Sequence, residues 1–300
     1  MSQAPQQPAV SHSSPPGLVA RLGAGIRSLL PARWRNRAPV VAVLRLSGVI
    51  GAGSPLRPAL NLARLDSQIE RAFATRSAKA VALIINSPGG SPAQSHLIMR
   101  RIRALAAEKN LPVFAFIEDV AASGGYMIAC AADEIIADPA SIIGSIGVVS
   151  ASFGFDRLID KIGVDRRVYT AGHSKAMLDP FRPEQAEDVA HLKALQQEIH
   201  AMFIGLVRER RGTKLVGTDE ELFSGAFWLA ETAIGFGLAD RLGDIKATLR
   251  ARYGDKVRLK EVNAPRGFLA RRLAGADANS LTQDVLAVIE ERATWARFGL

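Results

Sequence analysis

The chain has 300 residues, 48% hydrophobic and 22% charged, enough to bury a full-sized core in one large domain or two small ones. Its net charge of +9 sits almost wholly at one end, because residues 1–65 hold eight arginines and no lysine, aspartate or glutamate. A nucleic-acid reader would carry that charge on its fold, so the pattern argues against nucleic acid and for a basic tail meeting an anionic surface. The single cysteine, Cys130, excludes an intramolecular disulfide, and the five histidines show no metal-ligand spacing, so neither a metal nor another cofactor is expected.

Residues 1–16, "MSQAPQQPAVSHSSPP", are polar and proline-rich, the composition of a disordered arm. Residues 17–38 form a basic amphipathic segment. On a helical wheel Leu18, Val19, Leu22, Ile26, Leu29 and Leu30 share an arc of roughly 120°, with Arg21 and Arg27 outside it. These arginines leave no apolar run of the ~20 residues needed to span a bilayer, so a peripheral contact with anionic membrane through residues 17–37 is expected.

From Pro39 to Asn263 strand-like and helix-like segments alternate, the signature of an α/β domain. "VVAVLRLSG", "AVALIIN", "LPVFAFIE", "DEIIADP", "VDRRVYT" and "KVRLKEV" read as strands. Leu65–Ala74, residues 93–108, "FDRLIDKIG" and Pro183–Arg210 read as helices. Residues 264–300 read as a polar, partly helical tail.

Two glycine-rich turns each follow a buried strand: "NSPGG", ending at Gly90, and "AASGGY", which sets Ser123 before Gly124 at a strand-to-helix turn. A hydroxyl there is placed as a nucleophile would be. Turns from neighbouring strands can also deliver two amide N–H groups to a developing oxyanion. Either turn alone is a common loop.

"INSPGGSP", "AASGGYMIACAADEIIADPASIIGSIGV", "AGHSKAMLDPF" and "GLADRLGD" together resemble, in order, the motifs of the signal peptide peptidase A family, Ser/Lys peptidases on the Clp-type, crotonase-like fold, a repeated ββα spiral. The resemblance implies Ser123 as nucleophile, Lys175 as general base, Ser145 as the residue orienting the lysine, and the amides of Gly90 and Gly124 as the oxyanion hole. A lysine base must be buried away from carboxylates, since in water it is protonated at neutral pH. His173, two residues before Lys175, is the fallback base.

The resemblance further implies hydrophobic, unfolded peptides as substrates, signal peptide remnants among them, and a homo-oligomer in which one active site draws on adjacent protomers. The expected location is cytoplasmic, peripheral on the inner face of the membrane where residues 17–37 engage it. A Clp-type Ser-His-Asp triad fits poorly, since no histidine lies between Ser123 and His173. A crotonase-like acyl-CoA enzyme would need pocket carboxylates, for which Glu118 and Asp119 are the only close candidates, and a silent peptide-binding scaffold would not need Ser123 and Lys175 at all.

Overall fold

The computed structural model describes residues 38–52, 59–262 and 294–300. The expectations for residues 1–16 and 17–37, and for most of the tail, lie outside them. In chain order the elements are β1 (Val40–Ser47), α1 (Leu62–Phe73), β2 (Ala78–Ser87), α2 (Pro92–Lys109), β3 (Val113–Ala122), α3 (Gly124–Ala129), β4 (Glu134–Ala137), β5 (Ile142–Gly144), α4 (Asp156–Lys161), α5 (Ala186–Arg211), α6 (Asp219–Phe223), β6 (Phe227–Leu229), α7 (Ala230–Gly235), β7 (Arg241–Leu242), α8 (Ile245–Tyr253) and β8 (Arg258–Glu261).

The strands form one sheet in the order β6-β5-β3-β2-β1-β8, with β4 branching from β3 and β7 from β4. Every pairing is parallel except β5 with β6. The branch arises inside β3: Phe114–Ile117 pair with β4, whereas Val120–Ala122 pair with β5. Between these halves the register against β2 slips, from Ile85 opposite Ile117 to Ser87 opposite Ala121, which bends β3 as an irregularity in a ladder does. The result is a mixed α/β fold built on a single sheet, the class that the alternating segments predict.

Both faces of the central strands are covered. Leu44, Leu83, Ile85 and Ala115 pack with Ile69, Ile98 and Ile102 of α1 and α2 on one side. Val43, Ala82, Ile84 and Phe116 pack with Leu249 of α8 on the other. Two-sided burial explains why β2 and β3 read as continuous apolar runs rather than alternating ones.

One expected strand is absent. Residues 164–170 have no regular structure and all seven are exposed. No described strand lies beside them, and an unpaired strand leaves its backbone groups without a ladder partner. They belong to a longer stretch, Val149 to Gln185, in which no residue is buried. A small cluster ties it together, with Phe155 against Phe153 and Phe181 and the Arg166 guanidinium bonded to Asp179 and lying over the Phe181 ring.

Candidate active site

The end of β2 runs into the Ser87–Gly90 turn, which is locked to the chain after β1. The Ile50 amide donates to Gly89 O at 2.8 Å and the Ser91 amide to Ile50 O at 2.8 Å, while the Gly90 N–H between them has no partner among the described residues. Gly90 has φ +136°, and a Cβ there would stand 2.0 Å from Ile50 O, so only glycine fits. Gly89 touches the second turn: a Cβ on it would lie 2.8 Å from both Gly124 N and Ser123 Cβ. The two glycine-rich turns are therefore packed against each other.

Ser123 ends β3 with φ +51° and ψ −122°, a conformation that costs a residue bearing a Cβ about 1–3 kcal/mol. The surroundings enforce it. The Ser123 amide donates to Gly144 O at 2.9 Å, and its carbonyl accepts from Met127 N at 3.0 Å in the first turn of α3. The hydroxyl, half-buried, makes no cap bond and has no partner among the described residues. The Gly124 N–H is likewise unpaired there, at the start of a helix whose first-turn amides favour negative charge. A Cβ on Gly124 would meet Ser95 Oγ at 2.2 Å; Ser95, buried and bonded to Ser91 O, is the α2 residue against which the turn closes.

Ser145 follows Gly144, the β5 residue opposite Ala122, so it lies beside the Ser123 turn. It too has positive φ, +52°, and is held by its amide bond to Ala226 O at 2.6 Å. Lys175 is placed differently. It lies in the exposed stretch with its amide 3.3 Å from Gly172 O, and its ammonium makes no hydrogen bond or ion pair among the described residues, with Ser123 and Ser145 included. His173 is exposed beside it, on the rim of a hollow of about 700 Å³ shared with Asp179, Asp188 and His191. Glu118 and Asp119 are engaged elsewhere, the first with Arg45 at 2.7 Å and the second with the Asn86 amide.

Sequence reasoning missed what holds α3 from behind. The Arg210 guanidinium donates to Cys130 O at 2.8 Å and Ala132 O at 3.1 Å, and Arg103 donates to Ala131 O at 3.1 Å. The Tyr126 hydroxyl donates to Leu238 O at 2.8 Å. Arg211, buried next to it, bonds Gly237 O and both oxygens of Asp240. Burial pushes the Cys130 thiol up to about 12, against the lowering pull of Arg211, so this cysteine stays protonated.

Residues 106–258 match the family model of peptidase family S49. A Synechocystis protein named "Putative protease slr0021" is 30% identical over 87% of this chain and 92% of its own length. "Serine protease SPPA, chloroplastic" from Arabidopsis thaliana is 31% identical over 81% of this chain and 37% of its own. The chain belongs to peptidase family S49.

A Brucella abortus protein carrying the name "Na(+)/H(+) antiporter NhaA" is 55% identical over 95% of this chain, but the chain spans only 39% of that relative's length. Among the described residues no helix is long and apolar enough to cross a membrane. Among solved structures, the 1510-N membrane-bound stomatin-specific protease aligns with 76% of this chain and 100% of its own, at 16% identity and a TM-score of 0.46.

Proposed function

We propose that this chain is a serine endopeptidase that hydrolyses hydrophobic, unfolded peptides through an acyl-enzyme, with Ser123 as nucleophile and Lys175 as general base. The observation that carries this reading is the Ser123 turn: a strained serine whose hydroxyl, like the two glycine amides beside it, has no partner among the described residues. Ser123 Oγ attacks the substrate carbonyl, and the developing oxyanion takes the N–H groups of Gly90 and Gly124. Lys175 accepts the hydroxyl proton and returns it to the leaving amine, and water then releases the acyl group.

The position of Lys175 supports assembly of the site between protomers. A base of this kind must be desolvated, whereas Lys175 is exposed, in a stretch with no fully buried residue. That stretch also exposes Val149, Phe153, Leu158, Ile162 and Tyr169, apolar surface of the kind that marks a contact. A second copy covering it would dry the lysine and bring it to a neighbouring Ser123, with Ser145 orienting the ammonium. The basic segment 17–37 would hold such an assembly at an anionic membrane face, close to signal peptide remnants.

The test is hydrolysis of a leucine-rich, signal-sequence-derived peptide by the wild type, Ser123→Ala and Lys175→Ala, with light scattering on the same samples. Loss of turnover in both variants with assembly intact is expected. Activity in Lys175→Ala but not in His173→Ala would reassign the base, an active monomer would overturn the shared site, and an inert wild type would overturn the peptidase reading.

A further inference from the structure

Helix α5 touches three of the four segments that the proposed mechanism uses, the Gly90 turn being the exception. Near its N-terminus the Asp188 carboxylate accepts from the Leu178 amide at 3.1 Å, three residues after Lys175, at a position with φ +57°. In its middle His200 Nε2 lies 3.1 Å from Ile146 O, directly after Ser145. A carbonyl only accepts, so that ring nitrogen carries the proton. At its C-terminal end Arg210 holds the Cys130 and Ala132 carbonyls at the far end of α3, whose first residue is Gly124.

The helix is 26 residues long and continuous. At a rise of about 1.5 Å per residue, the three contacts are spaced about 18 Å and about 15 Å apart on one rigid rod. Its C-terminal half is anchored in the core through Phe203, Leu206 and Val207.

The α3 contact is unusual in how a helix end is satisfied. Helices commonly close on a glycine in the left-handed region. Here neither the capping Cys130, with φ −62°, nor Ala131 after it is left-handed. The carbonyls beyond are taken by guanidinium groups from α2 and α5, with Asp133 bonded to Arg103 at 2.7 Å and 3.6 Å from Arg210. A six-residue helix has little rigidity of its own, so what holds its C-terminus also fixes where its first amide points.

We infer that α5 is the positioning element of the site, with Arg210 aligning the Ser123–Gly124 turn through α3 and His200 fixing the Ser145 segment through Ile146 O. Neither residue touches substrate. This rests on the peptidase reading above.

The test is steady-state hydrolysis of the same peptide across pH by Arg210→Ala, Arg210→Lys, His200→Ala and His200→Gln, with melting temperatures recorded alongside. Arg210→Ala lowers kcat tenfold or more with KM within about twofold and the pH profile unmoved, because transition-state contacts are lost and ground-state binding is kept. Arg210→Lys, which still donates to a carbonyl, recovers part of the loss. His200→Ala moves the acid limb of kcat/KM to higher pH, because a base whose pocket admits water is harder to deprotonate. His200→Gln, which keeps an N–H donor, restores the limb.

Hydrolysis that persists in Ser123→Ala overturns the peptidase reading and this inference with it. Ser123-dependent hydrolysis with wild-type kcat in Arg210→Ala and an unmoved limb in His200→Ala overturns this inference alone. If Arg210→Ala unfolds, Arg210→Lys decides: equal kcat and KM to wild type would leave no special role for the two-carbonyl clamp.

Discussion

The Ser123 amide is bonded to the Gly144 carbonyl at 2.9 Å, which makes the last ladder step between β3 and β5 the support of a strained turn. Strain of that kind is released by glycine and kept by alanine. Ser123→Gly and Ser123→Ala are both expected to be inactive, with the glycine variant more stable by about 1 kcal/mol, or about 2–4 °C in melting temperature. Thermal denaturation of the two side by side checks this; equal stability would mean that the turn stores no strain.

Two glycines are expected to respond to alanine with opposite signs. At Gly90 the added methyl meets Ile50 O at 2.0 Å, so Gly90→Ala displaces the turn, costs about 2 kcal/mol or more and lowers kcat about 10²–10³-fold through the lost amide donor. Gly205, within α5, has nothing within 4 Å of such a methyl, and Gly205→Ala should stabilise the fold by about 1 kcal/mol with activity kept. Denaturant titration reads both.

Burial would push the Asp240 carboxyl up, but the bonds from Arg211, Lys214 and the Ile135 amide prevail and hold it below its ordinary value of 3.8. A carboxylate depressed in the folded state contributes stability that is full above the unfolded pKa and fades as pH falls through the folded one. Asp240→Asn is expected to cost about 3–5 kcal/mol near neutral pH, because it strands the buried Arg211. The gap to wild type should narrow below about pH 4. Melting curves from pH 7 down to pH 3 test this, and a gap that does not change with pH would refute it.

Cys130, fully buried with its thiol pushed up to about 12, should resist iodoacetamide at pH 8 in the folded protein and react at once in denaturant. Mass spectrometry of native and unfolded samples distinguishes the two. Rapid native labelling would show that α3 opens locally.

Much of the framework was legible because burial writes itself into sequence. β2 and β3 are covered on both faces and appear as unbroken apolar runs, and the strained turn announces itself as a serine between a small-residue strand and paired glycine. The short strands β5, β6 and β7 were not legible: at two or three residues each, they exist through their partners rather than through any periodicity. The strand expected at residues 164–170 failed for the converse reason, having pattern but no neighbouring strand among the described residues. Arg103 and Arg210 could not be read as supports of α3, since they lie 28 and 80 residues from the carbonyls they hold and look like ordinary surface charges. No spacing rule relates Lys175 to Ser123, and among the described residues no hydrogen bond joins their side chains.

The sheet closes with β8 beside β1, aligning Val40–Val43 with Arg258–Glu261 from opposite ends of the domain. During synthesis β1 emerges early and waits for its outer partner until almost the whole domain has left the ribosome. Parallel pairing at such separation is slow, because the entropy of closing the loop is lost before any contact repays it. β1, all of it buried apart from its polar and terminal positions, meanwhile keeps an open hydrogen-bonding edge to which another chain can pair. A nascent chain of this protein should therefore depend on chaperone cover until residue 261 is exposed, and truncations that remove β8 should accumulate as aggregates rather than as a smaller folded domain.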